Sequence, residues 1–141
     1  MATTRTANAH WQGSLLEGTG QVSLDSSGVG TYDVSWPARA EQPNGMTSPE
    51  ELIAAAHSAC FSMFLSSLLS KAGHQVDTID TRADVTFQPG EGITGSHLTT
   101  RASVPGLSAD EFATFAEDAK KGCPVSSALT GTTITLDASL A

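Results

Sequence analysis

The chain reads as an α+β protein in which antiparallel sheet wraps around one long central helix. Three features predict this. Period-two alternation occurs before Pro37 and again after Gly73, a capped and mostly apolar run from Ser48 to Gly73 lies between them, and Phe112, Phe115, Ala116 and Ala119 fall at helical spacing. At 141 residues, a single domain spanning 1–141 is expected, burying about two-thirds of its unfolded surface without disulfide staples.

The central run, S-P-E-E-L-I-A-A-A-H-S-A-C-F-S-M-F-L-S-S-L-L-S-K-A-G, carries its own punctuation. Ser48 is placed to cap it, Pro49 suits the first helical position, and Glu51 can reach back to Ser48 in a capping box. Lys71 complements the dipole of the last turn and Gly73 can close the helix. A helix of about 24 residues and roughly 36 Å follows. From Leu52 to Leu69 the polar residues are His57, Ser58, Ser62, Ser66 and Ser67, so the helix seeks burial on most of its circumference. A membrane span is the rival reading, since the apolar run approaches the needed length. The serines, the histidine and the lack of a basic flank argue against it.

The flanking segments read as strands. Ala9 and Trp11 alternate with His10 and Gln12, Gly18-Thr19-Gly20 turns the chain towards Val22 and Leu24, and Tyr32, Val34 and Trp36 share a face that Pro37 ends. Pro43-Asn44-Gly45 is a turn, and Arg39 lies in the loop before the central helix. After Gly73, Ala83, Val85 and Phe87, then Leu98, Thr100, Ala102 and Val104, form a hairpin around Pro89-Gly90-Glu91-Gly92. Ser108 with Glu111 is a second capping box, Gly122 stops that helix, Cys123-Pro124 opens a short helical turn, and Ile134, Leu136 and Ala138 line a last strand.

Fifteen acidic residues against seven basic ones give a net charge of −8. The bases are scattered apart from Lys120-Lys121, which excludes nucleic acid and anionic membrane surfaces as partners. Met1 to Asn8 is polar, without an apolar signal segment, so a cytoplasmic location with reduced thiols is expected. The two cysteines, Cys60 and Cys123, have no redox or zinc-ribbon spacing, and the four histidines complete no metal motif. Neither a metal nor another cofactor is expected. Cys60 reads as a small apolar filler or as a reactive thiol; in mid-helix, reactivity would require a cation, with His57 one turn back and Arg39 as the candidates. Cys123 reads as a cap-like turn residue or as a thiol made acidic by the N–H groups of the turn it opens.

The wording from Ser48 to Met63, with Ala-His-Ser-Ala-Cys around Cys60, followed by Cys123-Pro-Val-Ser-Ser-Ala-Leu129, resembles the OsmC/Ohr family of thiol-dependent hydroperoxide reductases, and its OsmC branch more than the Ohr branch. The resemblance covers nearly the whole chain in order of elements. It implies an OsmC-like fold and a two-cysteine peroxidase. Cys60 would attack the hydroperoxide, Cys123 would resolve the sulfenic acid as a disulfide within the same subunit, and a dithiol, such as a lipoyl-bearing protein, would re-reduce it. Arg39 and Glu50 match the family's arginine and glutamate. Arg39 would favour the thiolate and Glu50 would hold its fork in a bidentate pair.

Helix geometry adds one step. Glu50 and Cys60, ten residues apart, would stand roughly 15 Å apart along one straight helix and about 80° apart around it. An intertwined homodimer is therefore expected, in which Arg39 and Glu50 of one copy serve Cys60 of the other. His57 reads as a satisfied core histidine or as a tuner of the thiolate, and Leu52, Ile53, Phe61, Met63 and Phe64 as core or as the lining of an alkyl-hydroperoxide pocket. The competing function is an apolar-ligand binding protein that uses the groove around the central helix, its thiols incidental.

Overall fold

The computed structural model describes all residues, Met1–Ala141. They divide into two compact units, 1–52 and 53–141.

The first unit holds an antiparallel sheet of β1 (Asn8–Gln12), β2 (Thr19–Ser23) and β3 (Thr31–Val34), in that order. Gly20, expected in a turn, lies inside β2 opposite Trp11. A side chain there would meet the Trp11 ring at 2.7 Å and the His10 carbonyl at 2.6 Å, so only glycine lets the indole lie across the strand. Trp36 also departs from expectation. It opens a short helix α1 (Trp36–Ala40) instead of extending β3, because the Ser35 hydroxyl accepts the Ala38 N–H at 3.2 Å and Pro37 sits in the first turn, where its missing N–H costs nothing. Arg39 is consequently a helical residue and not a loop one.

The long helix α2 (Pro49–Lys71) starts in this unit and continues into the second. Only half of its expected capping box forms: the Glu51 N–H donates to Ser48 Oγ at 3.1 Å, but the Glu51 carboxylate takes the Thr47 hydroxyl at 2.6 Å. At its far end the His74 N–H returns to the Leu69 carbonyl.

The second unit contains β4 (Thr78–Gln88), β5 (Gly92–Ser103), α3 (Ala109–Gly122), α4 (Pro124–Ala128) and β6 (Thr133–Leu140). The sheet order is β4-β5-β6. β4 and β5 form the expected antiparallel hairpin, whereas β6 runs parallel to β5, because the chain crosses over through α3 and α4 before returning. The α3 capping box is complete, with the Glu111 N–H on Ser108 Oγ and the Ser108 N–H on the Glu111 carboxylate. On β5, Ser96, Leu98, Thr100 and Ala102 are buried while Thr99 and Arg101 face out. Phe61, Leu65 and Leu69 of α2 meet Leu98 and Ala102 of β5 and Phe112, Ala116 and Ala119 of α3 in one core. Each large side chain so buried contributes about 1.5–3 kcal/mol.

α2 has the length and apolarity of a membrane span. From Ile53 onward, however, its buried positions are His57, Phe61, Leu65 and Leu69, a single stripe at fourfold spacing that faces protein. Ala55, Ala56, Ala59 and Met63 stay exposed, Met63 at 74%. Phe61 belongs to the core and Phe64 packs against it.

Candidate active site

Two side-chain pairs stand out, one in each unit. In residues 53–141, Cys60 lies half-buried at the middle of α2 and Cys123 is fully buried at the joint where α3 ends and α4 begins. The Cys123 thiol donates to Cys60 Sγ at 3.0 Å. The joint is held against α2 by shape. The Phe64 ring, one turn beyond Cys60, approaches the Gly122 backbone so closely that an added Cβ would lie 2.7 Å from it. Gly122 therefore serves this close approach as well as ending α3.

The sulfur of Cys60 also accepts the backbone N–H of Val125, in the first turn of α4. The first turn of α4, which Cys123 opens, thus reaches the sulfur of Cys60. Burial pushes the Cys60 thiol up, the Cys123 sulfur adds to this through its hydrogen bond and charge, and the Val125 N–H pulls the other way. The net direction is upward, so within residues 53–141 nothing supplies the positive partner that an acidic Cys60 requires.

His57 is not that partner. Fully buried, it bonds Ser96 Oγ through Nδ1 at 2.7 Å and Ser126 Oγ through Nε2 at 2.8 Å, and burial pushes its pKa down, which keeps it neutral. It is the satisfied core histidine of the two readings. Ser96 and Ser126 carried no signal of their own in the sequence; Ser126 could have been noticed only because it sits inside the Cys-Pro-Val-Ser-Ser segment.

In residues 1–52, Arg39 and Glu50 form a tight pair. Arg39 Nε and Nη2 donate at 2.9 and 2.8 Å, both to Glu50 Oε1. The expected bidentate fork, with one donor on each carboxylate oxygen, is thus replaced by two donors on one oxygen. Glu50 is only 6% exposed, and its Oε2 is buried with no hydrogen-bond partner. The Arg39 guanidinium lies 6.0 Å from the centre of the Trp36 ring, within cation–π range. A cavity of about 380 Å³ opens here, lined by Trp11, Leu15, Val34, Ser35, Trp36, Arg39 and Pro49. It is walled mainly by apolar groups with one cation, the composition of a site for a small amphipathic molecule.

The family model described as "OsmC-like protein" matches residues 42–137. The chain belongs to the OsmC-like family. Over 132 residues it is 44% identical to Peroxiredoxin OsmC of Escherichia coli (strain K12), an alignment covering 92% of this chain and 91% of that protein. Among solved structures, an organic hydroperoxide resistance protein OsmC from Legionella pneumophila superposes with a TM-score of 0.73 at 24% identity, covering 100% of this chain and 98% of that one. An organic hydroperoxide resistance protein from Elizabethkingia anophelis gives 0.65 at 26% identity, covering 100% and 99%. The OsmC-like match takes in Glu50, Cys60 and Cys123 and begins just after Arg39.

Proposed function

We propose that this OsmC-like chain is a peroxiredoxin-type enzyme, a thiol-dependent reductase of organic hydroperoxides. One observation carries the reading: two cysteines far apart in sequence meet sulfur to sulfur at 3.0 Å. The thiolate of Cys60 attacks the terminal peroxide oxygen, the O–O bond breaks, and the alkoxide takes a proton and leaves as alcohol, or as water when the substrate is hydrogen peroxide. Cys60 is left as a sulfenic acid. The thiol of Cys123 then displaces the hydroxyl, its proton completing a water molecule, and an intrasubunit disulfide forms. The sulfurs need to close by about 1 Å to reach bonding distance. A dithiol, free or carried as a lipoyl group on a protein, returns both cysteines to thiols by exchange.

A thiol near its ordinary pKa is only roughly 3% ionised at pH 7, and burial makes Cys60 worse than ordinary. Arg39 is the remaining candidate for the compensating cation. Its guanidinium favours the thiolate and stabilises the oxygen on which charge develops, while Glu50 sets its aim. The ten-residue separation of Glu50 from Cys60 along α2 favours delivery of this pair from a second copy, in an intertwined homodimer. The exposed Ala55, Ala59 and Met63 face of α2 supports the same assembly. The apolar cavity beside Arg39 suits the organic part of an alkyl hydroperoxide, and a reducing cytoplasm suits the resting thiols.

The test is consumption of cumene hydroperoxide and of hydrogen peroxide with dithiothreitol. Wild type turns over, faster with the organic substrate; Cys60→Ser does not; mass mapping of oxidised wild type finds Cys60 joined to Cys123. The cavity also favours a second reading, an apolar-ligand binding protein. It predicts ligand affinity indifferent to Cys60→Ser and no dithiol-dependent turnover.

A further inference from the structure

His57 takes no part in the chemistry above, yet its two hydrogen bonds connect the elements that carry both sulfurs. It lies one turn before Cys60 on α2, and its Nε2 meets the hydroxyl of Ser126, which lies three residues after Cys123 on α4. Its Nδ1 is held by Ser96 of β5, which fixes the ring plane. A neutral imidazole offers one N–H and one lone pair, and each serine hydroxyl can donate or accept, so both contacts are satisfied in either tautomer. All three side chains are buried, which makes a missing partner expensive.

We propose that His57 is a positioning residue for the disulfide step, holding α4 against α2 so that Cys123 stays within reach of Cys60 once Cys60 has been oxidised. This rests on the peroxidase reading. In the reduced protein the Cys123 thiol bonds directly to Cys60 Sγ, and Val125 donates to the same atom. Oxidation places a hydroxyl on Cys60 and disturbs both contacts. The His57–Ser126 bond does not involve sulfur and survives the change. Alongside the Phe64–Gly122 contact, it keeps a five-residue helix in register while the S–S bond forms and the hydroxyl leaves as water. The sulfenic sulfur is reduced and the Cys123 sulfur oxidised, so electrons balance within the pair.

The experiment is a single turnover with one equivalent of cumene hydroperoxide in the presence of dimedone, which traps sulfenic acid, read by mass spectrometry. Wild type passes to the disulfide. Ser126→Ala is expected to slow that step by on the order of ten- to a hundredfold, so that the dimedone adduct of Cys60 accumulates. Ser126→Thr, which keeps the hydroxyl, restores disulfide formation, and His57→Gln behaves like Ser126→Ala where it folds. Because loosening α4 also withdraws the Val125 N–H, alkylation of Cys60 by iodoacetamide should move to higher pH in Ser126→Ala. A folded Ser126→Ala protein that forms the disulfide at the wild-type rate overturns the proposal. So does one that loses thermal stability alone, with trapping and alkylation profiles unmoved. If wild type itself yields neither adduct nor disulfide, the peroxidase reading fails, and the positioning role falls with it.

Discussion

Cys60 and Arg39 pose the central question at the scale of single residues, because the thiol is pushed up by its surroundings and the guanidinium is already bonded to a carboxylate. Arg39→Lys keeps the charge but cannot place two donors on Glu50 Oε1 while still presenting a face to a second group. Its expected loss in kcat/KM for cumene hydroperoxide is on the order of a hundredfold, and undiminished turnover would remove the aiming role. His57 makes a separate prediction about stability. Its folded pKa is depressed below the ordinary 6.5, so the stability it contributes is present above that value and is lost as pH falls through the folded pKa. The melting temperature of wild type should therefore fall below about pH 6.5, before the carboxylates titrate, and the limb should be absent in His57→Gln. Residue types and motif wording make Cys60, Cys123, Arg39 and Glu50 candidates in the sequence, and the structure pairs Cys60 with Cys123 and Arg39 with Glu50. The convergence of both Arg39 donors on one oxygen, and the role of Val125 N–H, were not visible, because backbone donors and bond multiplicity leave no mark on residue identity.

Elements differ in how openly they announce themselves. The Ser108–Glu111 box needs only local chemistry and formed in full, and the ends of α2 fell within two residues of their punctuation. α1 is hidden in the sequence because Trp36 alternates with Tyr32 and Val34 as a strand residue and Pro37 looks like a terminator that leaves Arg39 in a loop, whereas proline in a first turn is a helix signal. The parallel partner of β5 was equally hidden, since a strand's sequence does not record its direction. Packing at the α3–α4 joint can be tested directly. Gly122→Ala drives a methyl group into the Phe64 ring and should cost about 1–3 kcal/mol in denaturant unfolding, and Phe64→Leu should recover part of that loss. Leu65→Ala, deep in the stripe that α2 buries, should cost about 2–5 kcal/mol.

For the whole molecule, the decisive matter is which copy supplies which residue. If Arg39 serves Cys60 of the other subunit, then Arg39→Ala and Cys60→Ser proteins, each inactive alone, regain activity when mixed, refolded together and assayed. Random pairing makes half the dimers mixed, each with one intact site, so about a quarter of wild-type turnover is expected. Failure to complement, in a sample shown by sedimentation to contain dimers, would place arginine and cysteine in one copy. Meanwhile the cavity wall offers a reporter that needs no label. The chain has two tryptophans, and both of them, Trp11 and Trp36, line that cavity beside the guanidinium. All indole fluorescence of the protein thus originates at a single place, and an alcohol or peroxide seated there should shift the emission wavelength even in Cys60→Ser, separating occupancy from chemistry in one optical titration.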